Sequence, residues 1–320
     1  MLEPYAMTTL IETRNLSKNY PSRDGKTVVR AVDGVSLEVG TGHTLGIVGE
    51  SGCGKSTLAR LMLRLIEPTS GEVLFNGENL LKLDNAAMRQ RRREIQIVFQ
   101  DPYASLDPRM SVSAIISEPL EIHGVGTRAE RNAKMLDLLD LVGLDRSSAA
   151  KYPHEFSGGQ RQRIGIARAI ALEPKLVVLD EPVSALDVSI QSQILNLLID
   201  LKTRLNLSYV FISHDLSVVE HASDEVAVMY LGRIVEYGKA ESVLSAPLHP
   251  YTQALVSAIP EMDPQNKKQR IVLTGDPPNP ENIPAGCPFH PRCQYAMAIC
   301  RKTLPALDAR QGRNVACHLY

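Results

Sequence analysis

Apolar residues near the amino end of the chain follow three patterns. In residues 10–16 and 31–39 apolar and polar positions alternate, as expected of strands that bury one face. Residues 44–48 form a continuous apolar run, which is typical of a strand covered on both faces. Residues 58–66 have the apolar spacing and the length of a helix. The pattern therefore predicts strands, then a short loop, then a helix.

Strands and helices continue to alternate along the rest of the chain. Residues 71–77 and 95–99 are predicted strands. Two helical patterns occupy residues 111–144, with a break near residues 123–126, and they predict a helical subdomain inserted into an α/β core. The later elements are predicted as a helix over residues 157–172, a strand over 176–179, a helix over 188–204, a strand over 208–213, and a hairpin of strands 227–230 and 233–237.

Composition places the chain among soluble globular proteins. It is 44% hydrophobic and 22% charged, and its 320 residues suffice for two domains or for one large domain with an appendage. No apolar run approaches the ~20 residues that cross a bilayer. The amino end has no basic segment followed by an apolar one, so no secretion signal is predicted. We therefore expect a cytosolic protein that does not span a membrane by itself.

Charge gives little support to nucleic-acid binding. The net charge is −1, which argues against a large basic surface. The run over residues 89–93 contains four arginines and is most simply a solvated helix face, with nucleic-acid contact as the alternative. No nucleic-acid partner is expected.

The loop between the apolar run at 44–48 and the following helix fits the phosphate-loop pattern G-x-x-x-x-G-K-S/T. Its glycines allow a tight turn that points backbone N–H groups and the positive end of a helix at phosphate oxygens. Lys55 adds a charge toward the β- and γ-phosphates, and the Ser56 hydroxyl can hold Mg²⁺. The alternative is a glycine-rich turn with no ligand. The predicted phosphate-binding residues are Gly49, Ser51, Gly52, Gly54, Lys55, Ser56 and Thr57.

Two acidic residues follow the apolar strand predicted at 176–179. Asp180 and Glu181 come at its carboxyl end, where parallel α/β sheets place their ligand-binding groups. Asp180 is placed to support the Mg²⁺ shell, and Glu181 can orient or deprotonate an attacking water. Two acids that merely end a strand are the alternative.

Further strings resemble one family, the ATP-binding subunits of ABC transporters. In the family's order, Gln100 resembles the Q-loop, Ser157-Gly158-Gly159-Gln160 the signature, Leu176 to Glu181 the Walker B strand, Ser184 to Asp187 the D-loop, and His214 the switch histidine. The resemblance covers residues 10–260. It implies an α/β P-loop NTPase (ABC ATPase) core over residues 1–245, with an antiparallel β subdomain and a helical subdomain at about 101–172.

The resemblance also implies individual roles in ATP hydrolysis, with ATP and Mg²⁺ as cofactors. Glu181, His214 and Gln100 would be catalytic, and Gln100 would also contact Mg²⁺ together with Ser56 and Asp180. Tyr20 would stack on adenine through its π-face. A surface glutamine, a structural histidine and an aromatic that covers a turn remain the alternatives for Gln100, His214 and Tyr20.

The signature implies a dimer. In this family Ser157, Gly158, Gly159 and Gln160 serve the ATP held by a facing subunit, where a second helix amino terminus adds donors to the γ-phosphate. A sister ATPase subunit, giving a heterodimer, is the expected partner. ATP would join the two chains, and hydrolysis would release them.

The carboxyl-terminal part, residues 246–320, narrows the family resemblance. The string at 249–255 and the cysteine-rich tail resemble the extension of oligopeptide, dipeptide and nickel importer ATPases, and the strings at 182–189 and 209–216 are most like the second dipeptide-importer ATPase. This implies an ATPase that powers dipeptide or oligopeptide import. Two transmembrane permease subunits and, indirectly, a peptide-binding protein would be its partners at the cytoplasmic face of the inner membrane. A nickel importer ATPase and a soluble ABC-type ATPase acting on nucleic acid or ribosomes are the alternatives.

Four of the five cysteines lie in the tail. In a reducing compartment such a cluster favours metal over disulfides, but the two tight cysteine pairs common in structural zinc sites are absent. The family resemblance implies a 4Fe–4S cluster on them, with Zn²⁺ and free thiols as alternatives. The predicted ligands are Cys287, Cys293, Cys300 and Cys317. The fifth, Cys53, lies inside the phosphate loop and is predicted to be a small filler, with redox sensing as the alternative.

Overall fold

The structure is a computed structural model that describes residues 8–22, 27–259 and 270–320. The strands there are β1 Thr9–Pro21, β2 Val28–Gly40, β3 Thr44–Val48, β4 Ser70–Phe75, β5 Glu78–Asn79, β6 Ile95–Val98, β7 Leu176–Asp180, β8 Ser208–Ser213, β9 Glu225–Tyr230, β10 Arg233–Lys239, β11 Asp308–Arg310 and β12 Arg313–Val315. The α-helices are α1 Lys55–Met62, α2 Asn85–Arg91, α3 Val112–Ile122, α4 Arg128–Leu141, α5 Gly158–Ile170, α6 Val188–Leu205, α7 Leu216–Ala222, α8 Ala240–Ser245 and α9 Pro250–Ser257.

The described chain divides into two compact units. The helical unit comprises Gly40–His43 and Lys82–Val210. The phosphate-loop unit comprises Thr9–Val39, Thr44–Leu81 and Phe211–Tyr320. The helical subdomain predicted at 101–172 falls within the first, and the cysteine-rich tail within the second.

The helical unit contains a parallel strand pair, β6 and β7, in register from Ile95 opposite Leu176 to Val98 opposite Leu179. Every residue of β7 is buried, which explains the continuous apolar run in its sequence. Helices α3, α4 and α5 pack against one another. Thr127 begins α4 with a capping box, in which its hydroxyl accepts from the Glu130 N–H while the Glu130 carboxylate accepts from the Thr127 N–H.

In the phosphate-loop unit, β3 pairs in parallel with β9, and β9, β10, β12 and β11 follow as antiparallel neighbours. The predicted hairpin is confirmed as β9 and β10. Its turn residues, Leu231 and Gly232, both have positive φ, at 44° and 81°. A two-residue turn with this conformation matches the right-handed twist of the strands that it joins. Chain from the cysteine-rich tail thus extends the sheet through β12 and β11.

A second, four-stranded sheet in the same unit has the order β2-β1-β4-β5, with β1–β4 and β4–β5 antiparallel. Strand β1 continues to Pro21, beyond the predicted end at residue 16. A register shift between Arg14 and Ser17, with Asn15 at φ 47°, interrupts the alternation there. The bulge is the reason that the pattern ended early.

Helix α1 begins at Lys55, three residues before its predicted start, and ends at Met62. Gly54 is its N-cap in a left-handed conformation, so the helix emerges directly from the phosphate loop. At the other end, Arg64 has a φ of 48°, which stops the helix. Pro260 and Pro264 lie outside the described residues. Among the helices described, none is long and apolar enough to cross a membrane.

Candidate nucleotide site

The phosphate loop connects β3 to α1, as its sequence pattern predicts. Gly52 and Gly54 have φ values of 78° and 108°, in the left-handed region that favours glycine. A Cβ on Gly54 would lie 2.0 Å from the Ala31 carbonyl oxygen, so no other residue fits this position without backbone movement. The loop therefore has the tight turn that lets backbone N–H groups converge on a phosphate.

Lys55 is buried at the start of α1, with 4% of its surface exposed. Its ammonium group donates to the carbonyl oxygens of Gly49, at 2.8 Å, and Glu50, at 3.1 Å. These bonds hold the charge beside the loop backbone, where a polyphosphate would need it. Ser56 and Thr57 follow in the first turn of α1.

Cys53 is a buried free thiol in the loop, and burial raises the pKa of its thiol. A protonated thiol is a poor nucleophile and a poor redox sensor. This favours the small-filler interpretation.

Glu50 is a loop residue whose role the sequence did not reveal. Its carboxylate accepts from both terminal nitrogens of Arg292, at 2.8 and 3.0 Å, and its backbone N–H donates to the Tyr251 hydroxyl at 2.9 Å. The bond to Glu50 raises the pKa of Arg292 further above its ordinary value. No signal in the sequence links residues 242 positions apart, although Tyr251 lies in the string at 249–255 that resembles the importer family.

In the helical unit, Asp180 and Glu181 lie at the carboxyl end of β7, as predicted. Asp180 is 5% exposed, and Glu181 is half-buried. Glu181 has a φ of 48°, in the left-handed region, so the extended conformation of β7 ends before it. The Ser184 hydroxyl donates to the Glu181 carbonyl oxygen at 3.1 Å and closes the turn after the strand.

Gln100 and Glu181 are brought together, although 81 residues separate them. The Gln100 amide donates to Glu181 Oε2 at 2.8 Å and lies 3.4 Å from Ser184 Oγ. Gln100 is exposed, and its amide carries both a donor and an acceptor. It can therefore hold the carboxylate while its oxygen contacts a metal ion or a water molecule.

The signature residues form the start of α5. Ser157 is the N-cap, and its hydroxyl accepts from the Gln160 N–H while the Gln160 carboxamide accepts from the Ser157 N–H. Gly159 is buried, and a Cβ there would lie 2.5 Å from Ile190 Cγ2. Ser157 and Gln160 are exposed, so this helix start can be approached from outside the unit. Gln160 serves the capping box, which the sequence interpretation did not include.

The remaining predicted residues lie at exposed positions. His214 follows β8 directly, and Asp187 precedes α6 as its N-cap. Tyr20 lies on β1 with 37% of its surface exposed, and the Lys18 ammonium is 5.1 Å from its ring centroid. The adenine, trans-site and γ-phosphate roles of these residues stay predictions.

The four tail cysteines are free thiols, and Cys287 and Cys300 are buried. The backbone N–H of Cys287 donates to the Cys300 carbonyl oxygen at 2.8 Å, which brings two of the cysteine segments together. Burial raises the pKa of Cys287 to about 11, with a smaller contribution from the other tail thiols. Burial also raises the pKa of Cys293 and Cys317.

The predicted metal site on these cysteines is not confirmed. Within residues 8–22, 27–259 and 270–320, no group of three or more histidine, cysteine or acidic side chains is arranged to hold a metal ion. Burial raises the pKa of Cys287, Cys293 and Cys317, so a bound metal would have to stabilise their thiolate forms. The arrangement of the described side chains therefore gives no support to a 4Fe–4S cluster or to Zn²⁺ on these cysteines.

This chain resembles solved structures with the same fold. The ATP-binding cassette MJ0796, in a dimeric post-hydrolysis state with ADP and Pi, matches with a TM-score of 0.66 and 29% identity, covering 72% of this chain and 99% of its own. CbiO1 of Clostridium perfringens, part of the ABC transporter complex CbiONQ, matches with a TM-score of 0.66 and 29% identity over 75% of this chain and 92% of its own. Residues 32–184 match the family described as ABC transporter. The fold and the phosphate loop thus define an ATPase of the ABC class.

Sequence similarity narrows the family further. Residues 235–300 match the family described as oligopeptide/dipeptide transporter, C-terminal region. The oligopeptide transport ATP-binding protein AppF of Bacillus subtilis is 53% identical over 98% of both chains. The dipeptide transport ATP-binding proteins DppF of Haemophilus influenzae and Escherichia coli are 52% and 51% identical, over 97% and 96% of this chain and 96% and 93% of theirs. The chain belongs to the ATP-binding proteins of oligopeptide and dipeptide ABC transporters.

Proposed function

We propose that this chain hydrolyses ATP to power the import of dipeptides or short oligopeptides through a membrane ABC transporter. The observation that carries the proposal is the presence, in one chain, of the phosphate loop and the transporter-type region at residues 235–300. The similarity to AppF and DppF along nearly the whole chain supports peptides as the cargo. Nickel is the competing cargo that the test must distinguish.

Within this function, each candidate residue has a proposed role. Residues 49–57 bind the phosphates, and Lys55 neutralises charge on the β- and γ-phosphates. Asp180 supports Mg²⁺ together with Ser56 and Gln100. Glu181 orients or deprotonates the attacking water, and its bond from Gln100 supports this role because it holds the carboxylate in place. His214 contacts the γ-phosphate, and Tyr20 stacks on adenine.

The proposed assembly is a dimer of two ATPase subunits on two permease subunits. Exposure of Ser157 and Gln160 at the start of α5 supports a role of the signature toward ATP on a facing, sister subunit. The protein would act peripherally at the cytoplasmic face of the inner membrane, with a peptide-binding protein delivering cargo. The domain division at residues 1–245 and 246–320 belongs to the same proposal.

The four cysteines of the tail have no proposed part in ATP hydrolysis, whether or not they hold a cluster. The family resemblance supports a 4Fe–4S cluster, whereas the arrangement of the described side chains does not. Iron and acid-labile sulfide analysis of anaerobically purified protein decides this. Colourless, iron-free protein after anaerobic reconstitution would establish free thiols.

The test of the main proposal is transport. A strain that lacks this chain should lose uptake of a labelled dipeptide and regain it with the wild-type protein, whereas Lys55→Ala should not restore it. Labelled nickel, measured in the same cells, separates the two cargoes. Purification in detergent should recover two permease subunits with the chain. Fully soluble protein whose ATPase rate rises with nucleic acid or ribosomes would contradict the proposal.

A further inference from the structure

The carboxyl-terminal part of the chain contacts the phosphate loop through a salt bridge. Glu50 directly follows Gly49 in the loop, and both of its carboxylate oxygens accept from the Arg292 guanidinium, at 2.8 and 3.0 Å. The side chain of Arg292 is 7% exposed and that of Glu50 28% exposed, so water screens the pair little. A two-armed, charge-assisted contact of this kind restricts orientation as well as distance.

A second contact from the same part of the chain fixes the backbone of Glu50. Its N–H donates to the hydroxyl of Tyr251, on α9, at 2.9 Å. Tyr251 is fully buried and packs against Phe289 and Tyr230, with ring centroids 5.5 and 4.7 Å away. Phe289 precedes Arg292 by three residues, so one buried aromatic cluster positions both groups that hold Glu50.

Glu50 is also bonded to the lysine of the loop. The Glu50 carbonyl oxygen accepts from the Lys55 ammonium at 3.1 Å. Three polar groups of one loop residue are therefore held, its carboxylate by Arg292, its N–H by Tyr251 and its carbonyl by Lys55. A change at Arg292 would therefore affect Lys55, the residue expected to contact ATP, through Glu50 alone.

Charge gives Arg292 a second effect. A carboxylate in the phosphate loop would repel the negative phosphates of ATP, and the effect would be strong because the pair is mostly shielded from water. The guanidinium of Arg292 neutralises that carboxylate in place. Loss of Arg292 would both free the loop and uncover the negative charge.

We infer that Arg292 is a positioning residue for ATP binding, and that it makes the carboxyl-terminal extension a determinant of the protein's affinity for ATP. This inference rests on the proposed ATP-binding role of the loop. Arg292 acts through Glu50 and does not itself touch the nucleotide. Its effect falls on ATP affinity and KM, whereas a merely structural ion pair would change thermal stability alone.

The experiment measures the Kd of Mg²⁺-free ATP, and KM and kcat with Mg²⁺, on the full chain. The variants are Arg292→Gln, Glu50→Gln, the double variant and Arg292→Lys, with Arg310→Gln as the matched control. Arg310 belongs to the same extension but pairs with Asp308 at the surface. Thermal unfolding accompanies every variant.

Arg292→Gln is expected to raise Kd and KM about tenfold, because a buried charged hydrogen bond is lost and a carboxylate is left uncovered. Arg292→Lys should restore part of the affinity, since it keeps the charge and loses the two-armed geometry. In the Glu50→Gln background, Arg292→Gln should raise Kd and KM by less than a further factor of about two, because the two groups act as one pair. Arg310→Gln should match the wild type.

Three outcomes would overturn the inference. They are an unchanged Kd in a folded Arg292→Gln variant, an equal loss in Arg310→Gln, and fully multiplicative effects in the double variant. If Arg292→Gln does not fold, wild-type affinity in both Glu50→Gln and Arg292→Lys overturns it instead. Lys55→Ala tests the proposed function of the loop separately from the role of Arg292. Wild-type ATP affinity in that variant would refute ATP binding by the loop itself.

Discussion

The side-chain amide of Gln100 donates a 2.8 Å hydrogen bond to the carboxylate of Glu181. Glu181 has a left-handed backbone conformation, with φ at 48°, which is unfavourable for a residue other than glycine, asparagine or aspartate. The turn closed by Ser184 and the bond from Gln100 together hold this acid at the end of β7. Backbone strain of this kind is concentrated at active sites and ligand-binding sites.

Glu181→Gln should lower the steady-state ATPase rate at least about 100-fold, because general-base or water-orienting catalysis contributes that much or more. The glutamine keeps the shape of the side chain and can still accept from Gln100, so ATP affinity should change little. ATP-dependent dimers should persist, since hydrolysis no longer separates them. Turnover assays and size-exclusion chromatography with ATP check both effects.

The matched control for that variant is Glu173→Gln, an exposed acid in the same unit that pairs with Lys134. It should retain wild-type turnover. If Glu181→Gln hydrolyses ATP at the wild-type rate, Glu181 does not have the proposed role.

Lys55→Ala should weaken ATP binding at least about tenfold, because a charged donor to phosphate is removed. Thermal stability should fall less than for a core substitution, since the lysine donates to two carbonyl oxygens of the loop and to the Cys53 sulfur but fills no apolar core. Equilibrium binding of ATP measures the affinity. Lys134→Ala, which removes a surface lysine paired with Glu173, is the control and should bind ATP like the wild type.

Ser157→Ala should separate the capping role of the signature serine from its proposed role toward ATP. Loss of the N-cap hydroxyl should lower the free energy of unfolding by about 1 kcal/mol. Thr127→Ala removes the same kind of capping box from α4 and should cost about as much. Only Ser157→Ala should reduce ATP-driven dimerisation and turnover, measured with the sister subunit present. Equal losses of turnover in the two variants would show that Ser157 acts through helix stability alone.

His249 should make stability depend on pH. Burial lowers the pKa of His249 from 6.5 to about 3, and its neutral Nδ1 accepts from the Tyr251 N–H at 3.0 Å. Between pH 6.5 and 3 the unfolded chain binds a proton that the folded chain excludes. The free energy of unfolding should therefore decrease as the pH is lowered from 6.5 to 3. This group contributes a decrease of up to about 1.4 kcal/mol per pH unit.

His249→Asn provides the comparison, because asparagine can cap α9 and does not titrate. The difference in free energy of unfolding between the two proteins should change by about 2 kcal/mol between pH 7.5 and 5. Denaturant unfolding at both pH values measures it, and other titrating groups cancel in the difference. Parallel pH profiles would contradict the assignment.

The sequence by itself determined the elements and the order of the motifs. Continuous apolar runs predicted β3 and β7, and the strand–loop–helix context of residues 49–57 predicted the phosphate loop, because each depends on neighbours within a few residues. Asp180 and Glu181 were placed correctly at the end of β7 for the same reason. Where a bulge breaks the alternation, at Asn15, the local pattern ended before the strand did.

Only the tertiary structure decided which distant residues meet. Glu50 and Arg292 are 242 positions apart, and Gln100 and Glu181 are 81 apart, so no periodicity could pair them. The spacing of the four tail cysteines likewise could not show that Cys287 and Cys300 are buried and joined by a backbone hydrogen bond. Such contacts depend on how complete elements pack, whereas hydrophobic patterning specifies only which face of each element is buried.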